Sequence, residues 1–183
     1  MWVAASTGDA DAFGMVFDAH QARAYRHACR LVGDVTQAQD VTATAFLELW
    51  RRRSEVRLVN GSVLPWLLVT VTNVARNTRR STRRYRALLD RLPQAHGTAD
   101  AADQALERLG VAGLAPGLAA RLATLKPVDQ ALLSLVVLEG YSIAEAAQAT
   151  GLTQGAAKTR LSRARAGLRA AGPPTRTAEG AVS

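Results

Sequence analysis

Cysteine is almost absent from this chain: among 183 residues only Cys29 carries a thiol. One thiol excludes an internal disulfide framework and fits a reducing compartment. Lysine is nearly missing too, since 21 of the 23 basic residues are arginine. There is no long apolar run. The longest uncharged stretch, residues 58–75, is broken by Asn60, Gly61, Ser62, Pro65 and Asn73. It is too polar for a membrane span of ~20 residues, so no membrane insertion is expected. The N-terminus has no basic segment leading into an apolar one, which argues against a secretory signal and for the cytoplasm. Also missing are a Gly-rich phosphate loop, a Ser-His-Asp logic and a paired-carboxylate constellation, so no enzymatic activity and no cofactor are expected. His20, His27 and Cys29 match no zinc spacing, and no metal is expected.

What is present is enough apolar material for a core and an uneven charge. Hydrophobic residues make up 48% and charged residues 21%, with a formal net charge of +8. That excess suits an anionic partner such as nucleic acid. Residues 9–50 hold six acids against three arginines, whereas 51–91 hold eleven arginines against Glu55 and Asp90. Residues 92–157 are mildly acidic, and 158–169 carry five basic residues and no acid. Two basic blocks separated by neutral ground point to two contact surfaces on one long anion.

The periodicity is helical throughout. Phe13, Val16, Phe17, His20, Ala24, Ala28 and Leu31 recur at steps of three and four, up to a stop at Gly33. Thr36-x-x-Gln39 reads as a capping box opening a second helix with Ala38, Val41, Ala45, Phe46, Leu49 and Trp50 inward. Residues 54–62 have no period and contain the turn signal Asn60-Gly61. The β-branched run 63–74 reads as helix rather than strand, because Pro65 suits a first turn after a Ser62 cap and an arginine-rich helical run follows. Trp50 and Trp66 read as core. Residues 92–117, with several Gly and Pro, form an expected flexible linker that holds a short helical possibility at 99–109. A second domain is expected over 118–170 and a disordered tail over 171–183.

The second domain carries the sharpest pattern. A helix over 127–138 ends at Gly140, and Ser142-x-x-Glu145 is a capping box for a short helix. Gly151 makes the turn, and Thr153 caps a last helix reaching about Arg169. At 100° per residue, Ala157, Leu161, Ala164 and Leu168 share one side of it. Lys158, Ser162, Arg165 and Arg169 form a neighbouring stripe, with Thr159 and Arg163 further round. This is a helix-turn-helix whose second helix is shaped to dock on one face and enter a major groove with the other.

Together Leu125-Lys126-Pro127, residues 139–147, Gly151-Leu152-Thr153 and Lys158-x-Arg160-Leu161-x-Arg163-Ala164-Arg165-x-x-Leu168-Arg169 resemble the sigma-4 domain of extracytoplasmic-function (ECF) sigma factors. Gly8-Asp9, Ala12-Phe13, Gly33-Asp34, residues 38–42, Phe46-Leu47, Trp50-Arg51, Trp66-Leu67, Asn73 and Arg79-Arg80 resemble its sigma-2 domain. The sequence departs from the family at Ala43-Thr44, where Gln-Glu is usual, at Gly155-Ala156-Ala157, where Gly-Thr-Val is usual, and at Lys126 in place of Leu. The resemblance implies an all-α chain of two small domains, sigma-2-like over 1–91 and sigma-4-like over 118–170. It implies an alternative sigma factor that binds core RNA polymerase, through the β′ clamp helices and the β flap, and opens promoter DNA. Core binding is then expected at Asp34, Gln37, Asp40, Val41, Thr44, Phe46 and Leu47. The −10 element is expected at Arg53, Asn60, Asn73, Arg76, Arg79, Arg80 and Arg83, and the −35 element at Thr153, Gln154, Lys158, Thr159, Ser162, Arg163 and Arg165. An anti-sigma factor is the expected inhibitor. From the residues alone, an autonomous helix-turn-helix regulator and an RNA-binding accessory protein stay open.

Overall fold

The computed structural model describes residues 1–89, 121–122 and 124–170. The expected linker at 92–117, its helix at 99–109 and the tail at 171–183 lie outside the described residues. The chain is helical, and among the described residues the only β pairing is an isolated bridge between Val59 and Ser62. Four helices form the N-terminal unit: α1 (Trp2–Ser6), α2 (Ala10–Val32), α3 (Val35–Arg51) and α4 (Leu64–Leu89). Among the described residues three longer elements form the C-terminal one: α5 (Pro127–Leu133), running on as a π-helical turn Ser134–Leu138, then α6 (Ile143–Thr150) and α7 (Gln154–Ala170).

Local chemistry sets these boundaries. The Asp9 carboxylate accepts from the Ala12 amide at 2.9 Å and opens α2, which ends at Gly33. The next cap differs from the expected one. Asp34, not Thr36, caps α3: its backbone is extended and its Oδ1 accepts from the Gln37 amide at 2.7 Å. The turn at Gly33 leaves Asp34 as the last non-helical residue, so Thr36 already lies inside the helix. The 63–74 run is helix as read. The Leu64 amide donates to Ser62 Oγ at 3.2 Å, and Leu67, Leu68, Val71 and Ala75 are buried. Burying each leucine is worth about 1.5–3 kcal/mol. That outweighs the few tenths per residue by which β-branched residues disfavour a helix.

Helices α2, α3 and α4 pack pairwise on one another, with α1 against α2. Phe13 meets Phe46 and Trp50 edge-on, and Phe17 tilts over Phe46. In the C-terminal unit α7 packs on α5 and α6. The two units touch, because α4 packs against α5, the π turn and α6.

Candidate nucleic-acid interface

Helix α7 has the form its pattern predicts. Ala157, Leu161 and Ala164 are buried, while Lys158, Thr159, Ser162, Arg163, Arg165 and Arg169 are exposed. Thr153 and Gln154 are exposed at its start, where Thr153 Oγ1 accepts from the Ala156 amide at 3.3 Å. The capping box of α6 is closed: the Ser142 amide donates to Glu145 at 2.8 Å and the Glu145 amide to Ser142 Oγ at 3.2 Å. Gly151 sits at φ 71, the left-handed turn joining α6 to α7. Arg160 is already engaged, since its Nη1 donates to Asp129 of α5 at 3.0 Å. A shallow groove of about 540 Å³ runs along this face, lined by Lys126, Asp129, Gly155, Ala156, Thr159, Arg160 and Arg163. The face exposes the cations Lys158, Arg163 and Arg165 beside the Thr159 and Ser162 hydroxyls.

The second basic block is less open. Asn60 and Gly61 both have positive φ, 51° and 74°, and the Val59 and Ser62 amides and carbonyls pair at 3.0 Å. This two-residue turn needs those conformations. Asn73 and Arg80 are exposed on α4, whereas Arg76 and Arg79 are half-buried. Burial lowers the pKa of Arg79. Arg53 lies back on its own helix end: Nη1 donates to the Trp50 carbonyl at 2.8 Å, and the guanidinium covers the Trp50 ring at 4.4 Å. The Arg83 side chain lies outside the described residues. A groove of about 600 Å³ between α3 and α4 brings Thr44, Glu48 and Arg52 together with Trp66, Asn73 and Asn77. It joins two positions, Thr44 and Asn73, that the sequence assigned to different partners.

On α3, Asp40, Thr44 and Leu47 face solvent, with Leu47 60% exposed. Asp34 and Gln37 are half-buried at the helix start. Val41 and Phe46, also expected to bind core polymerase, are 1% and 4% exposed and hold α3 to the core. A 3.6-residue period carries both onto the inner face with Ala38, Ala45 and Leu49.

The sequence reading missed a cluster between the two units. Glu139, at the end of the π turn, has a side chain 3% exposed. Its Oε2 accepts from Arg23 Nε at 3.0 Å, and its Oε1 from Arg30 Nη1 at 2.9 Å and from His27 Nδ1 at 2.8 Å. His27 is fully buried, and its Nε2 lies 3.0 Å from Thr72 Oγ1 of α4. Burial pushes the Glu139 pKa up, but the His27 hydrogen bond and charge, the Arg23 hydrogen bond and the Arg30 charge override it and hold the pKa below the ordinary value. Nearby, Asn60 Nδ2 donates to Glu145 at 2.8 Å and Gln148 Nε2 to the Leu58 carbonyl at 2.9 Å. One signal was available: Arg23, His27 and Arg30 lie at i, i+4 and i+7, a cationic stripe without an acid on its own helix face.

Among the described residues no group of three His, Cys, Asp or Glu side chains is placed to hold a metal ion. Among them, too, no helix is long and apolar enough to cross a membrane.

Comparison with known proteins addresses both units. Sigma-70 region 2 matches residues 16–85 and Sigma-70, region 4 matches residues 117–168. The ECF RNA polymerase sigma factor SigL of Mycobacterium tuberculosis is 29% identical over 161 residues, covering 86% of this chain and 86% of SigL. The RNA polymerase sigma factor CarQ of Myxococcus xanthus is 30% identical over 160 residues, covering 85% of this chain and 86% of CarQ. Among solved structures, CnrH in complex with the cytosolic domain of CnrY is similar, with a TM-score of 0.54, 26% identity and 93% of each chain covered.

Proposed function

Because this chain belongs to the ECF RNA polymerase sigma factors of the sigma-70 family, we propose that it initiates transcription through three surfaces described above. As a member of that family it binds core RNA polymerase and recognises promoters. The solvent side of α3, with Asp40, Thr44 and Leu47 and with Asp34 and Gln37 at its start, meets the β′ clamp helices. The C-terminal unit meets the β flap. The loop carrying Arg53 and Asn60, together with Asn73, Arg76, Arg79, Arg80 and Arg83 of α4, takes the separated −10 strand. There a base edge needs a donor and acceptor, and the backbone needs cations. Helix α7 reads the −35 duplex with Lys158, Thr159, Ser162, Arg163 and Arg165, and Thr153 and Gln154 contact the groove edge. The chain works in the cytoplasm, without enzymatic activity or a cofactor of its own.

The observation that carries this reading is the pairing of regions 2 and 4 in one chain, each with a polar face left open to solvent. An autonomous helix-turn-helix regulator has no use for the first. The test is run-off transcription with purified core polymerase on a promoter library. Specific start sites that depend on this chain are expected. Tight duplex binding by the chain alone with no specific transcript would instead favour the regulator.

An anti-sigma protein holds the chain inactive in this proposal. Support comes from the exposed apolar Leu47 on α3 and the basic face of α7, which an amphipathic, acidic helix complements. The similar CnrH was solved in complex with a second protein. A pull-down from unstressed cells should recover a stoichiometric inhibitor. Recovery with core polymerase alone would count against it.

A further inference from the structure

We infer that Arg53 is a positioning residue: braced between Trp50 and the turn at Gly8, it fixes the entry of the 53–62 loop that takes the −10 strand. Three arginines stand in a row at the end of α3, and they part company. Arg51 and Arg52 reach Glu48 at 3.4 and 3.3 Å, with side chains 73% and 60% exposed. Arg53, one residue past the helix cap, is half-buried instead. Its Nη1 donates to the Trp50 carbonyl, its guanidinium lies over the Trp50 indole, and its Nε is buried without an acceptor. The indole is itself met edge-on by Phe13 of α2, at 5.0 Å. A guanidinium that is stacked on a ring, with N–H groups withdrawn from water, has little left to offer a phosphate. Its use lies in what it holds.

The other side of the brace comes from the start of the chain. Gly8 lies between the short helix α1 and the Asp9 cap of α2. Its turn is closed by the Gly8 amide on the Ala5 carbonyl at 3.1 Å and the Asp9 amide on the Ala4 carbonyl at 3.2 Å. Its φ of 104° is a conformation that glycine adopts readily and other residues rarely do. A β-carbon there would stand 3.5 Å from Arg53 Nη2, at ordinary contact distance, so the guanidinium rests against this turn. Backbone freedom, rather than room, is what the glycine supplies. The far end of the loop is fixed separately, by the Val59–Ser62 bridge and by buried Val59 and Val63. Between the two anchors Ser54, Glu55 and Arg57 are exposed, and exposed Asn60 stands at the tip of the far one. A loop held at both ends has less ordering left to undergo when a strand binds. The effect on DNA rests on the assignment of the 53–62 loop to the −10 element, whereas the brace does not.

The test uses holoenzyme saturated with core polymerase and a single-stranded oligonucleotide carrying the −10 element of a promoter found by run-off transcription. Arg53→Met keeps the length of the side chain but neither charge nor fork, and should weaken binding about fivefold, the scale of a cation–π contact. Arg53→Lys should weaken it nearly as much, because a point charge satisfies a phosphate but does not stack on a ring and donate to a carbonyl together. The slope of log affinity against log salt should stay that of the unaltered chain, whereas losing a phosphate contact lowers it by about one. Gly8→Ala should weaken binding too, and add nothing in the Arg53→Met background. In the free chain, hydrogen exchange at the Glu55 amide, which donates to the Arg52 carbonyl at 2.8 Å, should quicken in each variant while the Val59 amide is unmoved. Circular dichroism checks that each variant is folded. Full affinity in Arg53→Lys with a reduced slope in Arg53→Met would make Arg53 a direct phosphate contact and overturn the proposal. So would unchanged Glu55 exchange in folded Arg53→Met. Faster exchange with oligonucleotide affinity unchanged in every variant would overturn the loop's −10 role and leave the brace in place.

Discussion

Glu139 shows how a single side chain couples distant parts of this chain. Its carboxyl is held below the ordinary range by the α2 cations and His27, against the opposing effect of burial. A depressed carboxyl pKa contributes stability that is present above the unfolded value and lost as pH falls through the folded one. The docking of the two units should therefore weaken on acidification below the usual carboxyl range, roughly pH 4. The groups facing Glu139 are Arg23, His27 and Arg30 of α2 and Tyr141 beyond the turn. Thermal melts across this range should show an acid-side loss in the unaltered chain that is flatter in Glu139→Gln; identical profiles would contradict the assignment. On α7, Lys158→Ala and Arg165→Ala remove exposed cations that lie beside the buried stripe. Each should weaken −35 binding by about 1–3 kcal/mol in the holoenzyme while leaving the melting temperature unchanged. Asn73→Ala, on the wall of the α3–α4 groove, should impair strand opening more than closed-complex binding, read by permanganate footprinting. The α7 positions were legible in the sequence because a stripe of cations beside a stripe of Ala and Leu needs no tertiary knowledge. Glu139 was not. An acid just before a glycine at a helix end looks like solvated surface until its partners, more than a hundred positions away, are brought to it.

At the scale of elements, caps and glycines set the helix-turn-helix and packing holds it. The Ser142–Glu145 box, the left-handed Gly151 and the Thr153 cap were all readable, because each acts within four residues of itself. The exception was α3, where Thr36-x-x-Gln39 fits the same consensus but Asp34 arrives at the helix start first. The π turn was also invisible. The pattern over 127–138 predicts one helix, and the structure is continuous there, but the Glu139 amide bonds five residues back to the Ser134 carbonyl at 3.1 Å. The Tyr141 amide then reaches the Leu135 carbonyl at 3.0 Å. Such widened turns answer to tertiary fit and often mark functional positions. Here the turn delivers Glu139 to α2. Two substitutions separate capping from packing. Ser142→Ala loses the cap of α6 and should cost about 1 kcal/mol. Leu161→Ala empties a site that is 2% exposed where α7 meets its neighbours, and should cost about 2–5 kcal/mol. Urea denaturation of both variants checks the order, and equal losses would mean that α7 is held by something other than its apolar stripe.

For the whole molecule, the decisive feature is the contact between its two units, where α4 packs against α5, the π turn and α6. Glu145 of α6 holds Asn60, which stays exposed, and α7 packs on α6. The exposed side of α3 lies outside this contact, so core binding and promoter engagement should be separable. Asn60→Cys with Glu145→Cys makes this testable, because those side chains meet at 2.8 Å and Cys29 is buried beyond the reach of reagent. A short bis-maleimide should bridge the pair efficiently in the free chain. The bridged protein should still bind core polymerase, yet support run-off transcription at least tenfold less well than the same double variant left unbridged. That unbridged control carries any cost of losing Asn60, so the difference reports closure alone. Equal transcription from bridged and unbridged chains would mean that the closed geometry is compatible with a promoter, and failure of the bridged chain to bind core would mean that closure covers more of α3 than Asp40, Thr44 and Leu47 reveal.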